Sequence, residues 1–237
     1  MIEFITKYPF VLSFLLGIIP ALVWLKFWLK EDTHPEPLKM ITLSFLGGML
    51  AVLCVLPLQR MVYDYIPDPN GISFLIWAAL EEIFKFGIVY FIALRNKVTD
   101  EPVDDIIYLI ISALGFVTFE NTLFLLTPIH SGDLAGAIIT GNLRFVGASL
   151  VHIISSATIG TSLAFAFYRD KYSKILHAIS GLIIAIGLHT AFNLFIIEGL
   201  EGNVFFVFGG VWVGIVLLLL LIEKVKRLKA LEQNQNI

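Results

Sequence analysis

The chain has 237 residues, of which 58% are hydrophobic and only 15% charged, with a net charge of -3 and a mean hydropathy of +0.88. A water-soluble domain of this length carries ~25% charged residues to wet its surface, so the composition excludes that class and requires a bilayer. The small negative balance gives no basis for nucleic acid as a partner. Cys54 is the single cysteine; no internal disulfide can form, and its apolar surroundings mark it as a small buried hydrophobe.

A membrane-crossing helix needs about 20 mostly apolar residues. The spans predicted in chain order are 9–29, 38–58, 72–94, 105–126, 145–168, 175–197 and 203–222. The first is read as a retained span rather than a signal peptide. Only Lys7 precedes it as a basic residue, and bulky Trp24, Phe27 and Trp28 stand where small cleavage-site residues would be needed. Polar or Pro-containing breaks follow at Glu31 to Pro37, Tyr65 to Asn70 and Asp100 to Asp105. The stretch 128–143, with Ser131-Gly132-Asp133, is too short and polar to cross and is read as a loop with an interfacial helix. There is no internal repeat. The expected fold is all-α and polytopic, a single transmembrane domain of about seven helices, with 223–237 as a cytoplasmic tail.

Lysine and arginine orient the bundle. Alternate connections hold Lys26, Lys30 and Lys39, then Arg95 and Lys97, then Arg169, Lys171 and Lys174. The tail adds Lys224, Lys226, Arg227 and Lys229, which makes twelve on one side against Lys7, Arg60 and Arg144 on the other. This bias predicts an N-terminus outside the cell membrane and a cytoplasmic C-terminus.

Ionisable residues inside spans each cost at least ~2.5–3.5 kcal/mol near the bilayer centre, so they ask for a reason. The third span carries Glu81, Glu82 and Lys85, the fourth Glu120 and Asn121, the fifth His152 with Ser155 and Ser156, and the sixth His189 and Asn193. The first, second and seventh carry none. Counting from the outer span ends places Glu81, Glu120, His152 and His189 at roughly 9–13 Å depth. Glu81 and Lys85 share a helical face, as do His189 and Asn193. Taken singly, these residues have structural readings: an ion pair between Glu81 and Lys85, a packing hydrogen bond from His152, packing carboxamides at Asn121 and Asn193. Asp104 and Asp105 suit a helix start as caps, and His34, His130 and His177 lie in or near wet loops. As one layer, the kit suits proton transfer and oxyanion stabilisation. It also contains the donor types of a catalytic zinc, with Glu81, His152 and His189 as the ligands. A proton- or ion-coupled transporter is the competing reading, since buried Glu and His also form proton relays.

The order Glu81-Glu82-x-x-Lys85, Phe116-x-x-x-Glu120-Asn121, His152, His189-x-x-x-Asn193 resembles the PrsW family of bacterial intramembrane proteases. That family is distantly related to the CAAX prenyl endopeptidases. The match covers roughly residues 75–195. The resemblance implies an endopeptidase of the bacterial plasma membrane that cuts a single-pass membrane protein near the extracytoplasmic face, such as the first cut in an anti-sigma factor. It further implies that Glu81 activates water with Glu82 in support, that His152 assists, and that His189 and Asn193 stabilise the oxyanion. Lys85, Asn121 and Ser156 are supporting residues. Glu120 stands where the CAAX enzymes usually have His, which argues against prenyl-protein processing. No His-Glu-x-x-His pair occurs, and the expectation is a glutamate-activated water with no obligatory metal, zinc being the alternative.

Overall fold

The computed structural model describes residues 8–32, 34–197 and 204–235. Lys7, counted above, and residues 236–237 of the expected tail lie outside them. The described elements are helices α1 (Pro9–Trp28), α2 (Leu38–Tyr65), α3 (Gly71–Val89), α4 (Pro102–His130), α5 (Leu134–Leu143), α6 (Ser149–Phe165), α7 (Lys171–Ile197) and α8 (Val204–Gln235). A π-helical turn at Tyr90–Leu94 extends α3, and another at Arg144–Ala148 joins α5 to α6. Among the described residues, six stretches are long and apolar enough to cross a membrane, with α5–α6 counting as one. The remaining long helix, α3, is the one that carries Glu81, Glu82 and Lys85. The chain is therefore a polytopic all-α membrane protein.

Helix α4 lies at the centre because it is apolar all round and its neighbours are cut to fit. Every residue from Pro102 to Thr118 is buried. On α2, a Cβ at Gly48 would fall 1.9 Å from the carbonyl oxygen of Ser112, and one at Gly115 would fall 1.9 Å from that of Phe45. Only glycine allows backbones so close, and close approach is the main source of helix association inside lipid. The outward faces of α1, α2, α7 and α8 instead expose Leu, Ile, Val and Phe.

Local signals set the helix starts. Asn70 caps α3 by accepting the N–H groups of Ile72 and Ser73, while Ser73 Oγ accepts the N–H of Asn70 at 3.1 Å. Asp104 caps α4 by accepting the N–H groups of Asp100 and Glu101, each at 2.9 Å. Asp105, expected to cap as well, turns into the packing instead and is buried.

Several boundaries differ from the sequence reading. The stretch 128–143 is not a loop with a separate interfacial helix. The polar residues form a three-residue turn with Gly132 at φ +76°, Asp133 accepts the N–H of Gly136, and α5 then runs through the π turn into α6. Helix α2 passes Pro57 and continues to Tyr65, and α8 stays helical to Gln235, through the stretch read as the tail. Cys54 is half-buried. Two contacts tie elements together at one end of the bundle: Lys226 Nζ to Glu31 at 2.9 Å and His34 Nδ1 to Glu101 at 2.8 Å.

Candidate active site

Helices α3, α4, α6 and α7 bring five of the ionisable residues into one connected network. Glu82, wholly buried, is the hub. Its Oε1 accepts from Lys85 Nζ at 2.6 Å and from His189 Nδ1 at 2.8 Å, and its Oε2 from Ser156 Oγ at 3.3 Å. Lys85 Nζ also lies 3.1 Å from His152 Nδ1. An ammonium can only donate, so Nδ1 of His152 is the acceptor and its Nε2–H points to Glu120 Oε2 at 3.1 Å. On His189, the bond to Glu82 places the proton on Nδ1 and leaves Nε2 as the acceptor of a neutral ring.

Glu81 sits beside this hub on the next face of α3, as adjacent helical residues must. Its Oε1 accepts from Gln59 Nε2 at 2.7 Å. Its Oε2 is buried with no hydrogen-bond donor, 3.6 Å from His189 Nε2 and 4.0 Å from His152 Nδ1. An unsatisfied buried carboxylate oxygen is costly, and here two imidazoles flank it. Glu120, fourth in the set, is held by Arg144, which binds its Oε2 and also donates to Asn121 Oδ1. Phe116 packs on His152 with ring centroids 5.3 Å apart. Asn193 is half-buried one turn beyond His189, without a side-chain bond to the network among the described residues.

Gln59 and Arg144 belong to this site but were not read from the sequence. Gln59 follows the expected end of its span by one residue, and Arg144 precedes the next by one, where polar residues are ordinary. The second span thus contributes a polar group after all. The only advance signal is that Pro57 sits in an otherwise unbroken helical pattern.

Glu81, Glu120, His152, His189 and Asn193 all face one cavity of about 1260 Å³, whose walls include Leu56, Phe74, Trp77, Leu123, Phe124 and Phe192. Small-molecule sites occupy ~300–1,000 Å³, so this groove has room for a polypeptide segment. The donor set also suits a divalent metal. Glu81, His152 and His189 each place a ligand atom within 4.8 Å of the others, a carboxylate with two imidazoles is a catalytic zinc set, and the Glu82–His189 bond is the outer-sphere support such ligands use. One contact opposes it: Lys85 donates into the His152 lone pair that a metal would need.

A buried carboxylate–imidazole centre thus opens on an apolar groove inside a helical membrane bundle, an arrangement suited to proton transfer at a bound substrate. Residues 36–222 match the family described as PrsW family intramembrane metalloprotease. Protease PrsW of Geobacillus kaustophilus strain HTA426 is 31% identical over 160 residues, 66% of each chain. Protease PrsW of Clostridioides difficile strain 630 is 29% identical over 189 residues, 76% of this chain and 77% of that one. Protease PrsW of Bacillus subtilis strain 168 is 28% identical over 200 residues, 80% of this chain and 84% of that one. The chain belongs to the PrsW family and is a multi-pass bacterial membrane peptidase rather than a transporter. No solved structure matches it.

Proposed function

We propose that this peptidase cleaves a single-span membrane protein in the outer half of the bilayer, with water activated at Glu81. The carrying observation is the donor-less, buried Oε2 of Glu81 between two imidazoles. A water there donates one hydrogen to Glu81 and the other to Nε2 of His189, which Glu82 keeps as an acceptor. Its lone pair then faces the groove. Glu81 takes the proton as the water attacks and passes it to the leaving nitrogen. The Asn193 carboxamide, on the same cavity wall, donates to the oxyanion. Lys85 and Glu120 hold His152 from both ring nitrogens, and Arg144 fixes Glu120.

Counting α3 as a crossing gives seven spans. Two ion pairs support this: His34–Glu101 brackets α2 and α3, and Glu31–Lys226 brackets six crossings, each returning the chain to one side. That side holds the twelve basic residues, hence the cytoplasm, so the N-terminus is outside. The site lies toward the opposite, extracytoplasmic end. An anti-sigma factor receiving its first cut is the substrate we propose, following the family resemblance.

A second reading is favoured by the Glu81, His152 and His189 cluster: these three would hold a divalent metal. When bound, it would supply Lewis acidity that lowers the water pKa and polarises the scissile carbonyl. The test is cleavage of a single-span substrate library in liposomes by the wild type and Glu81→Gln, with and without a strong chelator. Loss in Glu81→Gln alone supports the glutamate-activated water. Loss with chelator as well, persisting in an Asp32→Asn background that removes the second carboxylate cluster, supports the metal reading. Cleavage undiminished in Glu81→Gln overturns both.

A further inference from the structure

At the end of the bundle away from the groove, the α1–α2 connection meets the start of α4. Asp32 and Glu36 come from the first, Glu101 and Asp104 from the second, and all four are at least nine-tenths buried. Asp32, Glu101 and Asp104 each offer an oxygen within 4.8 Å of the other two. Oδ2 of Asp32 and Oδ1 of Asp104 are buried with no hydrogen-bond partner. Glu36, which accepts from Tyr108 Oη, is buried beside them. Among the described residues, no lysine or arginine pairs with Asp32, Glu36 or Asp104. His34 reaches Glu101 through Nδ1 and donates its backbone N–H to Asp32 Oδ1 at 2.8 Å, so it is the two orphan oxygens that need a proton or a cation.

We propose that this cluster binds a hard divalent cation, Ca²⁺ or Mg²⁺, through Asp32, Glu101 and Asp104, with Glu36 beside them. All the donors are carboxylate oxygens, the ligand type both ions take and softer metals do not prefer. The ion clamps the α1–α2 connection onto the first turn of α4. Glu120 lies sixteen residues beyond Asp104 on the same helix, roughly 24 Å away, so this site is separate from the Glu81 centre. A chelator can therefore act on the protein without touching that centre.

The test uses the full chain in lipid nanodiscs, stripped with chelator and then titrated at neutral pH with CaCl₂ or MgCl₂. Thermal unfolding should rise by about 5–10 °C at saturation, and the ion that acts at the lower concentration is the one selected. Terbium, a Ca²⁺ probe, should give Tyr108-sensitised emission that the same ion displaces. Asp32→Asn and Glu101→Gln keep the planar shape of the carboxylate but remove its charge, and each should abolish both signals. His152→Ala should leave both intact. No thermal shift with either ion overturns the proposal, as does a shift that survives Asp32→Asn and Glu101→Gln or is lost in His152→Ala.

Discussion

Arg144 offers a sharp test of how the site is held, because its carboxylate partner is Glu120. Its guanidinium spans Glu120 Oε2 and Asn121 Oδ1 and lies over the ring of Phe124, 3.8 Å from the centroid. The Arg144 and Glu120 side chains are only 15% and 18% exposed, so the pair is screened far less than a surface bridge, which is worth ~0–1 kcal/mol. Arg144→Ala leaves Glu120 without its cation and frees it to move away from His152 Nε2. A charge-assisted bond of this kind contributes ~1.5–3 kcal/mol, so loss of about 2 kcal/mol should lower cleavage roughly 30-fold. Glu120→Ala should cost a similar factor. If Arg144 acts only through Glu120, the double variant is barely slower than either single one, with a coupling energy of about 2 kcal/mol. The assay is kcat/KM on one single-span substrate in liposomes, with thermal unfolding measured on the same four proteins. Multiplicative losses, with coupling under ~0.5 kcal/mol, would refute the reasoning and assign Arg144 a task of its own.

Gln59→Leu removes the donor to Glu81 Oε1 and should lower kcat/KM about tenfold while leaving thermal unfolding nearly unchanged. Glu82→Gln leaves Lys85 buried without its counter-charge, and unfolding measurements should show ~3–5 kcal/mol of lost stability. Adding Lys85→Met to that variant should recover most of the stability but no cleavage, since His189 still lacks its carboxylate. Gly115→Leu drives a side chain into the Phe45 backbone and should sharply reduce the folded, monodisperse fraction on size-exclusion chromatography. Gly187→Ala, with nothing within 4 Å of the added carbon, should behave as wild type or gain ~0.5–1 kcal/mol.

Glu81, Glu82, Lys85, Glu120, His152 and His189 were legible because an ionisable group in an apolar run stands out against lipid. Their meeting followed from depth counting, although for His152 that count started from the wrong place: the helix begins at Leu134, eighteen residues before it. Gln59 and Arg144 were illegible because they lie at expected span ends, where polarity carries no information about partners. The same holds for Asp32, Glu36, Glu101 and Asp104. Each reads as a loop or cap residue, and only tertiary packing brings two distant connections onto one point. Residues 134–143 were misread because the polar turn before them lowered the apparent apolarity of a segment whose own Ile138 and Ile139 face outward. The glycine pair at Gly48 and Gly115 was equally silent, since the need for a missing side chain becomes visible only against the facing backbone.

The central claim is that Glu81 directs water onto a peptide bond within the substrate's membrane span. Its most direct test is mass spectrometry of the products formed in liposomes by the wild type and by Glu81→Gln of equal thermal stability. The account predicts a single cut in the outer half of the span by the wild type and no product from the variant. A cut in the water-exposed part of the substrate, or the same products from Glu81→Gln, would contradict it.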